Sequence, residues 1–337
     1  MLAPSAIVHA QTIAPEFAAN YSYRSLGTPP GVPPSLGGLT IHAGAPNSLL
    51  IGGSANAPGA AVYSVALTRE TNGAISGWGC TPTTVHASTP YIDGGLQFGP
   101  GGVLFYSTFN NNTIGQVRPG ESSAARIDGL TALGVTASTG SLQFVPPGFA
   151  GAGLLKIVSY SVGWWYSTSV TPDGQGTYSL APVSTSVNIG GGPEGVIYVR
   201  GGNPGFPVDS VLVCEYSTNR VVAYDVDGNG DPIASTRRVF MTDLSGAEGA
   251  MVDPLTGDFL FCTFGGNPRV LVVTGFASEQ SCIGDIDSDG VVTGADLGRM
   301  LSAWGDCALC AEDLNGDCTV NGLDLGVLLS VWGPCAN

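Results

Sequence analysis

The stretch "GGLQFGPGGVLFYSTF", Gly94 to Phe109, reads as a short apolar strand, a Gly-Pro turn and a second, strongly apolar strand. Turn formers between two runs of aliphatic and aromatic residues are the local pattern of a β-hairpin. The phrase recurs as "GGLTIHAGAPNSLLIGG" (37–53), "GSLQFVPPGFAGAGLLKIVSY" (140–160), "PEGVIYVRGGNPGFPVDSVLVCEY" (193–216) and "AEGAMVDPLTGDFLFCTF" (247–264). Its openings fall near 38, 95, 141, 195 and 249, a period of roughly 46–57 residues. A third strand follows each pair, as in "AAVYSVAL" and "RVVAYDV", and polar hairpin turns follow several of those. About four strands per repeat at this period is the spacing of a β-propeller.

Five repeats are visible, and the fifth stops after "RVLVVTGFA" without an outer strand. An unassigned strand, "EFAANYSYRSLG" (16–27), precedes the first. Placing it as the outer strand of the last blade closes the ring and hides a sheet edge. The expected fold is mainly β: a five-bladed propeller over 16–278, with six blades as the alternative. Residues 1–15 read as an N-terminal extension or the remnant of a secretory signal, with small residues before Gln11. Residues 279–281 read as a hinge, and 282–337 as a separate small helical domain.

Composition narrows the function. The chain has 337 residues, 43% hydrophobic and only 11% charged, with 51 Gly and 23 Pro. That supports a large core in a β-rich fold. The net charge of −15 argues against nucleic acid or an anionic membrane as partner. No stretch approaches the ~20 apolar residues that span a bilayer. Five of the eight Cys lie between 282 and 335, a density that fits an oxidising, extracellular or cell-surface location.

The C-terminal region writes one acidic phrase twice, "GDIDSDGVVTGADLGRMLSAWG" from Gly284 and "EDLNGDCTVNGLDLGVLLSVWG" from Glu312. Asp285, Asp287 and Asp289 occupy positions 1, 3 and 5 of a loop, Val291 offers its carbonyl at 7, Thr293 stands at 9 and Asp296 at 12. This is the ligand spacing of a Ca²⁺ loop, with Gly290 at the sharp turn. The second loop supplies Asp313, Asn315, Asp317, Thr319, Asn321 and Asp324, with Cys318 where the turn glycine would stand. Two Ca²⁺ sites are expected. Val292 and Val320, at position 8, are expected to pair. Leu297, Met300, Leu301 and Trp304 share a helical period, as do Leu325, Leu328, Leu329 and Trp332, and each set is expected to form one face.

Two such loops, each followed by one helix and a closing "WG", resemble a type I dockerin domain, in the variant seen in planctomycete-type secreted bacterial proteins. The resemblance implies a duplicated EF-hand-like module that folds with Ca²⁺ and docks onto a cohesin-like receptor. The docking positions it implies are Gly294-Ala295, Gly322-Leu323, Ser302-Ala303 and Ser330-Val331. The hydroxyl pair of cellulosomal dockerins is absent, so self-association or another receptor is also open. The Cys follow the same 28-residue offset. The favoured disulfides are Cys282–Cys307 and Cys310–Cys335, with Cys318 left over, either free or paired elsewhere.

In the propeller, Glu194 and Glu248 stand at equivalent blade openings, where Gly37, Gly94 and Gly140 stand in the others. First strands line the central channel, so this pair is a possible cation site or acid–base pair. The pattern weakly resembles NHL and regucalcin-like propellers, which implies a Ca²⁺-dependent lactonase-type hydrolase as one alternative. A glycan-binding propeller, through Trp164, Trp165 or Tyr166, is another. The favoured reading is a non-catalytic, secreted propeller whose tail serves extracellular attachment or assembly, as in a fibre or surface layer.

Overall fold

The computed structural model describes residues 10–42, 44–70, 72–276, 283–287, 289–307 and 310–335. Five antiparallel sheets form a five-bladed propeller. Blade 1 runs Leu39–Ile41, Ser48–Gly53 and Ala61–Arg69, and both Ile75–Trp78 and Thr84–Ser88 pair with the long third strand. Blade 2 is Ile92–Phe98, Leu104–Thr108, Thr113–Val117 and Arg126–Gly129. Blade 3 is Thr139–Phe144, Leu155–Ser159, Trp164–Thr168 and Ser184–Asn188. Blade 4 is Pro193–Val199, Ser210–Glu215, Arg220–Asp225 and Arg238–Thr242, and Thr12–Ile13 adds to its edge. Blade 5 is Ala247–Val252, Phe259–Thr263 and Val270–Thr274, and Ser22–Gly27 completes it from the N-terminal side. The ring therefore closes as the orphan strand requires.

The strand period of two explains the core. Along Ser48–Gly53, Leu49 and Ile51 pack toward blade 5 with Leu260 and Val272, while Leu50 packs toward blade 2 with Leu96 and Tyr106. Along Ser210–Glu215, Val211 and Val213 face blade 3 and Trp165, while Leu212 and Cys214 face blade 5 and Phe261. Five apolar clusters thus fill the five gaps between blades. Both faces of a middle strand are buried, so these strands are nearly continuous apolar runs rather than alternating ones. Trp165 and Tyr166 belong to this core, and only Trp164 of that trio is exposed.

Helices α1 (Gly294–Ser302) and α2 (Gly322–Ser330) follow the two acidic loops. Thr293 and Asn321 cap them, each closing a capping box with the Asp three residues on. The helices end sooner than the apolar period suggests. Met300, Val327 and Leu328 are buried between them, but Leu301, Trp304, Leu329 and Trp332 are 49–53% exposed. Each helix has nine residues, so the chain has left it before either Trp. The expected four-residue packing face is thus split: part is core and part is surface.

Val292 and Val320 are both buried in one cluster, yet they are not strand partners. Val292 pairs with Gly333, and Val320 with Gly305. Each loop pairs with the chain leaving the other helix, an exchange that gives the closing Gly its purpose. Gly305 and Gly333 sit at φ 117° and 123°, which L side chains rarely adopt.

The same exchange overturns the expected disulfides. Cys307 pairs with Cys310, because the end of the first repeat and the start of the second lie together. Cys318 is bonded to Cys80 of blade 1. Cys335 is disulfide-bonded and its amide donates to Gly290 O, beside the first loop rather than beside Cys310. Cys282 and the expected hinge at 279–281 lie outside the described residues. Cys214 and Cys262 are buried free thiols.

Candidate metal centres

The two tail loops share one hydrogen-bond scheme. The position-1 carboxylate braces the turn: Asp285 accepts from the amides of Asp289 (3.1 Å) and Gly290 (2.9 Å), and Asp313 from those of Asp317 (3.1 Å) and Cys318 (2.8 Å). The position-12 carboxylate spans the loop. Asp296 accepts from Ile286 and Thr293, and Asp324 from Asn315 and Asn321. Position 5 accepts from position 7 in both, Asp289 from Val291 and Asp317 from Thr319. Both loops are therefore shaped by their own carboxylates, with oxygens drawn toward one point.

Asp285, Asp287 and Asp289 bring one oxygen each within 4.8 Å of the others, and so do Asp313, Asp317 and Asp324. Either group can hold a metal. In the first, Asp287 Oδ1 is buried with no hydrogen-bond partner, an acceptor that a bound ion would satisfy. In the second, burial pushes the Asp313 carboxyl up, and the neighbouring Asp324 and Asp317 add to it. A cation there reverses that penalty. Oxygen-only donors suit a hard cation, and the residues fit Ca²⁺. Cys318 stands at φ 71°, and its bond to Cys80 holds a conformation that Gly290 adopts freely at φ 90°.

The second loop is also built into blade 1. The Arg69 amide donates to Asn315 O (2.6 Å), and Asn47 Nδ2 to Asp313 O (2.7 Å). Gly316 lies against Leu67 O so closely that a Cβ would sit on it. Arg69 meanwhile makes a fully buried bidentate pair with Asp253 of blade 5, at 2.7 and 2.9 Å. Its Nε donates to Asn47 Oδ1 (2.9 Å). One cluster thus joins the ring closure to the second loop. A 460 Å³ cavity lies between blade 1 and the tail, lined in part by Asn47, Leu67, Asp285 and Leu314.

In the propeller, Glu194 and Glu248 do meet at the ring centre, and Asp93 joins them. Sequence reading missed Asp93 because it stands one residue before the opening glycine pair. β-Bulges explain the convergence. The strand register shifts between Ile92 and Leu96, between Pro193 and Val196, and between Ala247 and Ala250. Each bulge turns an acidic side chain inward. Burial pushes the Asp93 carboxyl up to about 7, and those of Glu194 and Glu248 well above the usual range, with mutual repulsion adding to the two Glu.

No family model and no curated protein matches this chain. Similar solved structures include a pyranose dehydrogenase PQQ domain from Coprinopsis cinerea, 11% identical, covering 79% of this chain and 97% of that one, at TM-score 0.42. A putative 6-phosphogluconolactonase from Bacteroides uniformis is 13% identical over 67% of this chain and 64% of its own, at 0.40. An auxiliary nutrient binding protein from Bacteroides thetaiotaomicron is 12% identical over 71% and 58%, at 0.42. At these scores none of them bears on what this chain does.

Proposed function

We propose that the protein is a secreted, Ca²⁺-binding propeller whose dockerin-like tail attaches it to an extracellular partner, a cohesin-like receptor or a second copy of the chain. The observation that carries this is the exposed apolar set of Leu301 and Trp304, repeated 28 residues later as Leu329 and Trp332, on a module organised by two acidic loops. Large apolar side chains at about half exposure, paired by an internal repeat, mark a docking surface better than scattered ones do. Of the docking positions that the dockerin resemblance implies, Gly294, Ala295, Ser302, Gly322, Leu323, Ser330 and Val331 are exposed, and Ala303 is half-buried against the tail core. Ca²⁺ fixes the loops, the loops cap the helices, and the helices present the surface. The described disulfides suit the oxidising compartment of this reading, and no helix among the described residues is long and apolar enough to cross a membrane.

The lactonase alternative needs substrate to reach Glu194 and Glu248, which are 2% and 1% exposed. That burial favours the non-catalytic reading. Size-exclusion chromatography with light scattering, in Ca²⁺ and then in chelator, tests the attachment. Assembly of the full chain in Ca²⁺, lost in chelator and in Trp304→Ser/Trp332→Ser, identifies self-association. A monomer in Ca²⁺ directs the search to a separate receptor, for which the immobilised chain is the bait. Lactone turnover abolished by Glu194→Gln or Glu248→Gln would overturn the non-catalytic reading.

A further inference from the structure

Asp93, Glu194 and Glu248 come from blades 2, 4 and 5 and are 1%, 2% and 1% exposed. One oxygen of each lies within 4.8 Å of the others. A second observation is independent of that proximity. Asp93 Oδ2, Glu194 Oε2, Glu248 Oε1 and Asn56 Oδ1 are buried with no protein donor on them, although the Asp93 and Glu248 carboxyls lie close enough to share a proton. Asn56 faces Asp93. No ion pair among the described residues includes any of the three carboxyls. Buried acceptors in such number are costly unless something positive completes them.

We propose that these three carboxylates hold one divalent, oxygen-seeking cation of the Ca²⁺ class, sealed at the ring centre as a structural ion tying blades 2, 4 and 5 together. Size supports it. The centre of a triangle whose sides are at most 4.8 Å is no more than about 2.8 Å from each corner. That bound admits the roughly 2.3–2.6 Å of Ca²⁺–oxygen contacts. Donor chemistry supports it too. The nearby thiols are turned to backbone carbonyls, Cys262 toward Gly37 O and Cys214 toward Gly249 O, so the donor set is all oxygen.

The blade openings are shaped to leave room for it. A Cβ on Gly94 would lie 2.6 Å from Glu194 Oε2, and one on Gly140 2.8 Å from the same atom. Two openings therefore carry glycine where a third and a fourth carry glutamate: the ring centre has space for the carboxyls of some blades only. The burial that denies substrate access also slows exchange, so this ion leaves far more slowly than those of the partly exposed tail loops.

That difference supplies the test. The full chain is produced with Ca²⁺, treated briefly with chelator, and weighed by native mass spectrometry. The wild type keeps one Ca²⁺ per chain, and Glu248→Gln and Asp93→Asn, both nearly isosteric, keep none. The tail ions are read separately, as those that the chelator strips from all three proteins. Two results overturn the proposal: a wild type that keeps no ion even after refolding in excess Ca²⁺, or variants that keep as much as the wild type. Thermal unfolding adds a readout of what fills the site. Loss of the ion lowers the melting temperature of the variants. If protons alone fill the cluster, the neutral variants melt as high as the wild type or higher, which also overturns the proposal.

Discussion

Replacing Arg69 with Met tests how ring closure and tail are joined. The guanidinium is fully buried and donates to Asp253, Gly73 O, Pro46 O and Asn47 Oδ1. Met keeps most of the apolar stem and removes every donor. Asp253 is then left buried with only Thr256 Oγ1 and the Leu255 amide for company. Breaking a buried pair from one side costs about 3–5 kcal/mol. For a domain of this size that is a fall in melting temperature of roughly 6–20 °C. Adding Asp253→Asn recovers much of the loss, because no charge is then buried alone. The tail responds as well. Asn47 loses the Nε–H bond that orients it toward Asp313 O. One hydrogen bond of about 1 kcal/mol corresponds to a roughly fivefold weaker Ca²⁺ affinity at the second loop. The first loop, with no such anchor on Arg69, is unchanged. Calorimetric unfolding in Ca²⁺ gives the first number and Ca²⁺ titration the second. A single variant that melts within about 2 °C of the wild type refutes the reasoning.

Other outcomes follow from the same geometry. Cys80→Ser removes a cross-link closing 238 residues, worth about 5 kcal/mol on loop entropy, and frees the tail to proteolysis without unfolding the blades first. Peptide mapping without reduction recovers Cys80–Cys318 and Cys307–Cys310, and a Cys282–Cys307 peptide would contradict the fold of the tail. Asp287→Ala removes one Ca²⁺ and leaves the second loop filled, read by titration. Burial pushes the Asp258 carboxyl up to about 6, with Asp253 adding and Thr256, Arg24 and Arg69 opposing. The folded chain then binds this proton more tightly than the unfolded one, so stability falls as pH rises from about 4 to 6 and is level above. Asp258→Asn flattens that fall. It matches the wild type near pH 4 and exceeds it at pH 7 by up to about 3 kcal/mol, measured by denaturant unfolding.

The blades were legible because each repeats one hairpin phrase, and because Ser22–Gly27 had no partner of its own within its own half of the chain. The acidic loops were legible because position 1 to position 12 is a local matter of spacing. What escaped was long-range. Cys80 gives no sign that it meets Cys318, since the contact depends on how the tail sits on blade 1. The pairing of Cys307 with Cys310 follows from Val292–Gly333 and Val320–Gly305 strand exchange, which a repeat offset does not encode. Asp93 escaped because a β-bulge, not a period, brings it into the channel. Trp304 read as core because its spacing is helical, yet α1 stops at Ser302 and the chain has left the helix before it.

Ca²⁺ titration calorimetry on the full chain tests the central claim, that the tail is an attachment module organised by Ca²⁺, at its root. The account predicts that wild type takes up two more ions than Asp285→Ala/Asp313→Ala, and that only the wild type shows Ca²⁺-dependent protection of α1 and α2 from hydrogen exchange. Equal uptake by the two proteins, or equal protection with and without Ca²⁺, would contradict it.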